Sequence, residues 1–138
     1  RRPEFLLPFQ TRMLFLTRER EDLYGRINQR VYSMLEQGWL DEVAALSEEW
    51  KDFVYRKKLI GYPEIVRFLE TERAQQGLDC LVSEIQQKTR QYAKRQLSFW
   101  RMFQREVSPL GYLILQEINL TLSPIDLYIM DLKTNLLT

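Results

Sequence analysis

The chain has 138 residues, of which 45% are hydrophobic and 28% are charged, and its 20 basic and 19 acidic residues leave a net charge of +1. This composition supports one hydrophobic core and excludes collagen-like, disulfide-scaffold and disordered chains. The near-neutral charge indicates no global preference for nucleic acid or for a membrane surface.

Residue types that are absent or rare exclude several kinds of chemistry. The chain has no histidine and one cysteine, Cys80, so it can form neither a Ser–His or Cys–His nucleophile pair nor a His-ligated zinc site or a thiolate cluster. None of its five glycines precedes a lysine, which excludes a Walker A loop within this chain. A single cysteine fits a reducing compartment, and no apolar run reaches the roughly 18 residues of a membrane span. We therefore expect a soluble, cytoplasmic protein with no membrane contact.

A short strand followed by a helix is predicted near the start of the chain. Met13–Leu16 is a continuous apolar run typical of a buried strand. Because a buried strand needs neighbours on both sides, we expect the rest of its sheet in sequence upstream of this chain. Thr17 is the predicted N-cap of a helix that runs to about Gln37, and Gly38 is its predicted stop. The apolar stripe of this helix consists of Leu23, Ile27, Val31 and Met34.

Two further helices are predicted in the middle of the chain. The first runs from Leu40 to about Trp50, and the side chains expected on its buried face are Val43, Leu46 and Trp50. The second opens at the turn Gly61–Glu64, with Pro63 at its first helical position, and runs to about Thr71.

The longest predicted helix follows Gly77 and extends from Leu78 to about Arg105. Beyond it, Tyr112–Leu120 favours a strand, and Pro124 marks the start of a short terminal helix. The predicted order is therefore one strand, four helices, a second strand and a terminal helix.

Charge is unevenly distributed along the chain. Val31–Trp50 contains five acidic residues and no basic one, whereas Gln87–Arg105 contains six basic residues and no acidic one. On a helical wheel one sector of the long helix is apolar and consists of Leu81, Ile85, Tyr92, Phe99 and Phe103. The opposite side carries Arg90, Lys94, Arg101 and Arg105. A solvated surface is the ordinary interpretation of such a basic face, but a phosphate backbone also binds one. The neighbouring Phe99 and Trp100 either belong to the core or stack on an unpaired base.

Arg26 and Arg30 lie one turn apart at the border of the apolar stripe of the first helix. A partly buried guanidinium in that position either pairs with a carboxylate or binds an anion. Ion pairs to the acidic segment Val31–Trp50 and an anion site are equally consistent with the spacing.

Three segments of the chain match short motifs that occur together in one family. Thr89–Arg101 reads TRQYAKRQLSFWR, Leu59–Glu64 reads LIGYPE, and Leu23–Val31 reads LYGRINQRV with Met34–Gly38 following it. These segments closely resemble the TRQxAKRQxTW, IGYxE and RIxxRVxxML motifs of the tRNA dimethylallyltransferases. They occur in the family's order and cover about Met13 to Arg105.

The resemblance implies the C-terminal part of an enzyme that transfers a dimethylallyl group from dimethylallyl diphosphate to N6 of the adenosine 3′ of the tRNA anticodon. The implied fold is mostly α, the C-terminal helical part, with one or two strands, of a P-loop kinase-like α/β enzyme. Its phosphate loop, general-base aspartate and Mg²⁺ ligands are expected in an N-terminal half that this chain lacks. The chain alone is therefore expected to be inactive and to hold no metal or cofactor site. Residues 1–18 then correspond to the last strand region of the missing core, 19–105 to the helical region and 106–138 to an extension.

The resemblance also implies roles for individual residues. Arg30 matches the family arginine that contacts the diphosphate, and Arg26 is its close neighbour. The residues that match tRNA-binding segments are Lys58, Leu59, Ile60, Gly61, Tyr62, Pro63, Arg90, Lys94, Arg95, Gln96, Leu97, Ser98, Phe99, Trp100 and Arg101. The expected partners are a tRNA anticodon stem-loop and dimethylallyl diphosphate, and the expected oligomeric state is a monomer.

Two functions of other classes remain open at this point. A stand-alone, non-catalytic RNA-binding helical module would use the same basic helix without any chemistry. A helical protein–protein module would instead dock the acidic segment Val31–Trp50 against a basic partner.

Overall fold

The computed structural model describes residues 11–70, 77–107 and 113–122. These residues form mostly helices, with two parallel strands. The elements in chain order are β1 (Thr11–Thr17), α1 (Arg20–Glu36), α2 (Trp39–Ala44), α3 (Glu48–Lys57), α4 (Tyr62–Glu70), α5 (Gly77–Val107) and β2 (Leu113–Asn119). Both predicted strands and the helices opening at the Gly61 turn and at Gly77 are confirmed. The predicted terminal helix at Pro124 lies outside the described residues.

The described residues group into two compact units. The helical unit comprises those within Tyr24–Arg95, and the strand unit comprises those up to Leu23 together with those from Gln96 onward. Helices α1 and α5 each contribute to both units. The three consecutive segments expected from the sequence stay a prediction.

In the strand unit, β1 and β2 pair in parallel, with Met13 opposite Leu115 in the register. The core of this unit includes Ile118 and Trp100, whose ring stacks on that of Phe15 at 4.3 Å between centroids. The prediction that β1 is a strand is confirmed. The burial expected for its apolar run depends on sheet neighbours from upstream sequence, which stay a prediction, and in this structure Met13, Leu14 and Leu16 are 37–47% exposed. The reason is that β2 is the one strand paired with β1 among the described residues.

The predicted N-cap at Thr17 is wrong, because Thr17 is the last residue of β1 and α1 begins at Arg20. The backbone carbonyl of Thr17 accepts a hydrogen bond from the Leu120 N–H at 2.8 Å. Its hydroxyl donates to the carbonyl of Ile118 at 3.4 Å, so both groups are engaged with β2 and the residue after it. The first helical bond instead runs from the Leu23 N–H to the carbonyl of Glu19.

The helical unit has one hydrophobic core, to which α1, α2, α4 and α5 contribute. Full burial of one valine, leucine or isoleucine side chain contributes about 1.5–3 kcal/mol to the free energy of folding. The fully buried members are Val31, Trp39, Val43, Ile65, Val66, Leu81, Val82 and Ile85. The predicted stripe of α1 is confirmed at Ile27 and Val31, and Met34 packs against the core from its edge.

The single helix predicted from Leu40 to Trp50 is wrong, because the chain forms α2 and α3 with a break between them. Ser47 is extended at the N-cap position of α3, and Glu48 and Glu49 occupy the first turn, where acidic side chains favour helix initiation. Because of this break, the buried face of α2 does not continue into α3. Val43 is therefore buried as predicted, whereas Trp50 is 56% exposed and contacts Phe53. Gly38, in the left-handed conformation at φ 94°, ends α1 as predicted.

The apolar sector predicted for α5 is confirmed at Leu81 and Ile85 and wrong at Tyr92 and Phe99, which are about half exposed. Trp100 is buried instead. Because α5 packs in two separate units, its buried face need not follow one continuous stripe.

Candidate nucleic-acid interface

The segment Lys58–Pro63 comprises the tight turn that follows α3 and the first two residues of α4, and we call it the turn. Lys58 takes the left-handed conformation at φ 52° and ends α3, its N–H donating to the carbonyl of Tyr55 at 3.2 Å. Gly61 has φ 100°, a conformation that favours glycine. A Cβ at Gly61 would also overlap the indole of Trp39, so glycine is required here both for its backbone conformation and for space.

Side chains from other elements hold this turn. The Gly61 N–H donates to Glu64 Oε2 at 2.6 Å, and the hydroxyl of Tyr62 donates to Glu42 Oε1 at 2.8 Å. That bond to the Glu42 carboxylate, together with burial, raises the pKa of Tyr62 above its ordinary value. Tyr62 also meets the Trp39 ring edge to face, with centroids 5.6 Å apart. The turn is therefore anchored to α2 as well as to α4.

A group of ion pairs connects α4 to α5. Lys88 Nζ lies 2.6 Å from Glu64 Oε1 and 2.7 Å from Glu84 Oε1, and Arg67 bonds Glu84 at 2.8 Å. Burial lowers the pKa of Lys88, but its bonds to the two glutamates outweigh burial and raise it overall. Hydrogen bonding from Lys88 holds the pKa of Glu84 below its ordinary value. These contacts therefore favour the charged forms of Lys88 and Glu84.

Two of the three sequence motifs contact each other directly. Arg90 on α5 donates from Nη1 to Asn28 Oδ1 on α1 at 2.8 Å, and its guanidinium lies 5.9 Å from the ring centroid of Tyr24. Gln86 adds a bond to the carbonyl of Asn28 at 3.4 Å. Arg90, predicted to bind tRNA, thus packs against α1 in this structure.

A cavity of about 620 Å³ lies where α1, the turn and α5 meet, and we call it the basic cavity. Its apolar lining includes Ile27, Val31, Met34, Trp39 and Ile85. Its basic lining consists of Arg30, Lys57, Lys58 and Arg95. No acidic side chain is among the described residues that line it. The cavity therefore combines an apolar surface with a local excess of positive charge, which attracts an anion.

The basic side chains of the cavity are characterised by their ion pairs and by their exposure to solvent. Within the described ranges, no ion pair is found for Arg30, Lys58 or Arg95. The expected partial burial of Arg26 and Arg30 is wrong, because both side chains are exposed. The first of the two alternatives for Arg30, an ion pair with the acidic segment Val31–Trp50, is therefore not observed among the described residues.

A second concave surface, of about 460 Å³, lies against the same turn. Lys58, Leu59, Ile60 and Arg95 line both it and the basic cavity. Tyr55, Lys88 and Gln91 contribute to the second surface alone, and burial raises the pKa of Tyr55. Predicted residues from two motifs, the turn and the long helix, are thus brought together here.

The predicted residues from Gln96 to Arg101 belong to the strand unit, where α5 continues. Trp100 packs in the core against Phe15. Of the two alternatives for this residue, core packing and base stacking, the structure therefore shows core packing. Phe99 is 59% exposed, and Leu97 is half-buried. The polar members, Gln96, Ser98 and Arg101, are exposed, as is Lys94 one turn earlier in the helical unit.

Sequence reasoning missed several residues of this region. Lys57 and Tyr92 line the basic cavity, and the Arg95 guanidinium lies 5.9 Å from the Tyr92 ring centroid. Glu64 accepts a hydrogen bond from the Gly61 N–H of the turn, and Lys88 donates to the other carboxylate oxygen of Glu64. The position of Glu64 in the LIGYPE segment was a usable signal, whereas nothing local marks Lys88 as its partner.

Two further observations limit the kinds of site. In residues 11–70, 77–107 and 113–122, no three Cys, Asp or Glu side chains lie close enough together to ligate a metal ion. No helix within the same residues is both long enough and apolar enough to cross a bilayer.

The chain is similar to known proteins over most of its length. A family model described as IPP transferase matches residues 1–103. The tRNA dimethylallyltransferase of Syntrophobacter fumaroxidans is 43% identical over 99 residues, which cover 68% of this chain and 27% of the relative. The enzyme of the same name from Thermosipho africanus is 38% identical over 94 residues, covering 68% and 30%.

A solved structure has the same fold. The crystal structure of the full-length tRNA isopentenylpyrophosphate transferase from Bacillus halodurans superposes with a TM-score of 0.63 and 26% identity, covering 96% of this chain and 40% of that one. The chain thus spans less than a third of the two curated relatives named above. The chain belongs to the IPP transferase family, and its resemblance to the tRNA dimethylallyltransferases is confirmed.

Proposed function

We propose that the full-length protein containing this chain transfers a dimethylallyl group from dimethylallyl diphosphate to N6 of the adenosine 3′ of a tRNA anticodon. The observation that carries the proposal is the basic cavity, in which Arg30 of the segment Leu23–Val31 and Arg95 of the segment Thr89–Arg101 line one space. Lys58, which directly precedes the segment Leu59–Glu64, lines the same space. Family membership supports the reaction class. In this proposal the chain is the C-terminal helical part of a P-loop kinase-like α/β enzyme of the cytoplasm, acting as a monomer.

The role proposed for Arg30 follows from where charge builds up. In the transfer, the bond between the dimethylallyl carbon and the diphosphate oxygen breaks, the bond to N6 forms, and N6 loses a proton. Negative charge grows on the leaving diphosphate, and a guanidinium without a carboxylate partner stabilises that charge. Arg30 is exposed at the cavity, and Arg26 one turn earlier adds positive charge to the same face of α1. We place the general base, the phosphate loop and the Mg²⁺ ligands in sequence outside this chain.

The RNA is proposed to bind along the turn and α5. An adenine inside a base stack is out of reach of the prenyl donor, so it must be turned outwards while the flanking phosphates are held. Lys58, Lys94 and Arg95 are exposed cations suited to that contact. Arg90 contributes indirectly, since it fixes α5 to α1 through Asn28.

The test is a transfer assay in the full-length protein with labelled dimethylallyl diphosphate and an anticodon stem-loop. Arg30→Ala is expected to lower kcat by about 100-fold, the cost of losing one stabiliser of developing charge. Arg30→Lys is expected to recover part of the rate. Arg56→Ala serves as the control, because Arg56 pairs with Asp52 on the exposed side of α3 and should leave the rate unchanged. An unchanged kcat in Arg30→Ala would contradict the role of Arg30.

A non-catalytic RNA-binding module is the second candidate, favoured by the basic cavity alone. It predicts salt-sensitive binding of the stem-loop by a full-length protein that shows no transfer under any supplied Mg²⁺ concentration. Transfer by the wild-type protein would exclude it.

A further inference from the structure

Glu64 is the one buried charged side chain among the described residues, with 6% of its surface exposed. A buried carboxylate is costly unless hydrogen bonds and an opposite charge compensate for its lost hydration. A carboxylate whose two oxygens accept hydrogen bonds from different parts of a chain connects those parts. The partners of Glu64 therefore indicate what it holds.

The two carboxylate oxygens of Glu64 bind different parts of the helical unit. Oε2 accepts the Gly61 N–H at 2.6 Å, inside the turn, and Oε1 accepts Lys88 Nζ at 2.6 Å, on α5. Arg67 lies farther away, at 3.9 Å from Oε1. One side chain thus connects the backbone of the turn to the helix that carries the basic residues.

The turn depends on such a connection. It contains two left-handed residues within four positions, Lys58 at φ 52° and Gly61 at φ 100°. Conformations of this kind persist where the surroundings determine them. Without the bond to Glu64, the Gly61 N–H would lose its buried partner, and the backbone that carries Lys58 would be free to move away from Arg95.

We propose that Glu64, oriented by Lys88, is a positioning residue that fixes the Lys58–Pro63 turn against α5 so that Lys58 and Arg95 present one RNA-binding surface. The inference rests on the proposed function for the identity of the ligand. Glu64 borders the second concave surface but is only 6% exposed, so in this proposal it acts through its neighbours. Its effect passes through the Gly61 amide to the exposed residues of the turn.

The experiment compares two lysines that each bridge a pair of glutamates. Lys88 bridges Glu64 and Glu84, whereas Lys51 bridges Glu48 and Glu70 on α3 and α4 without contacting the turn. In the full-length protein, Lys88→Gln and Glu64→Ala are expected to raise KM for the anticodon stem-loop about tenfold, as loss of a charged hydrogen bond implies. KM for dimethylallyl diphosphate should stay within about twofold, and Lys51→Gln should change neither constant.

A second readout does not depend on activity. Amide hydrogen exchange at Gly61 should become faster in Glu64→Ala, while Glu64→Gln, which keeps an acceptor oxygen, should retain most of the protection. A merely structural role would lower the fraction of folded enzyme and leave both KM values unchanged. Unchanged KM for the stem-loop in Lys88→Gln, or unchanged Gly61 exchange in Glu64→Ala, would overturn the proposal. Failure of the proposed function is separate, because it shows as absence of transfer by the wild-type protein.

Discussion

Single residues in the turn between α3 and α4 carry constraints that their neighbours do not. Gly61 combines a left-handed backbone, a buried N–H and close contact with the Trp39 indole. Gly25, in the exposed face of α1, has no atom within 4 Å of the position that a Cβ would take. The two glycines therefore have opposite expectations for the same substitution.

We expect Gly61→Ala to destabilise the protein by about 2 kcal/mol or more, because a side chain at positive φ is strained and Trp39 must move. Gly25→Ala, in contrast, should stabilise it by about 0.5–1 kcal/mol, since alanine has the higher helix propensity. Denaturant unfolding of both variants checks the pair. Equal effects of the two substitutions would show that the turn does not hold Gly61 as described.

At the level of elements, α4 and α5 are joined by charge as well as by their apolar faces. Glu84 and Lys88 lie one turn apart on α5 and each reaches a partner on α4, Arg67 and Glu64 respectively. Their side chains are about 40% exposed, so solvent screens most of the attraction. These exposed pairs therefore contribute little to the free energy of unfolding. Their effect is best detected as a dependence of that free energy on pH.

The lowered pKa of Glu84 sets the sign of that dependence. Because the folded state holds this proton less tightly than the unfolded state, stability is complete above the ordinary pKa of 4.5 and falls as the pH drops through the lowered value. Urea unfolding of the wild type and of Glu84→Gln, at pH 7 and between pH 4.5 and pH 3, measures the difference. We expect the wild type to lose about 0.5 kcal/mol more than the variant on acidification. Parallel losses in both proteins would contradict the pairing.

At the scale of the whole molecule, a net charge of +1 conceals a strong local excess of base. The ion pairs that the structure describes engage Arg18, Lys51, Arg56, Arg67 and Lys88, none of which lines the basic cavity. Around the basic cavity the cations have no acidic neighbour in its described lining. Local charge, and not net charge, is therefore what an RNA would encounter.

Salt dependence tests this local charge. If Lys58, Lys94 and Arg95 meet phosphates, the plot of log K against log salt for anticodon stem-loop binding should have a slope of roughly −2 to −3. Arg95→Gln should make the slope about one unit shallower, while Lys51→Gln should leave it unchanged. A slope near zero in the wild type would rule out a phosphate-dominated interface.

Local patterns accounted for most of the elements. Apolar periodicity located α1, glycine and proline marked the openings of α4 and α5, and continuous or β-favouring runs located both strands. The errors fell where local propensity met a tertiary partner. Thr17 is a good N-cap by type, but its hydroxyl is engaged with the carbonyl of Ile118, 101 residues away. Ser47 divides what periodicity predicted to be one helix.

The sequence by itself determined the family, the three motifs and the residues Arg30, Lys58 and Arg95, because motifs and periodicity are local properties of the chain. Only the tertiary structure decided that these cations line one cavity, that Trp100 is buried while Phe99 is exposed, and that Lys88 binds Glu64, 24 residues away in the chain. Burial and charge pairing depend on which distant side chains share the same space. No spacing along the chain encodes that, and packing alone settles it.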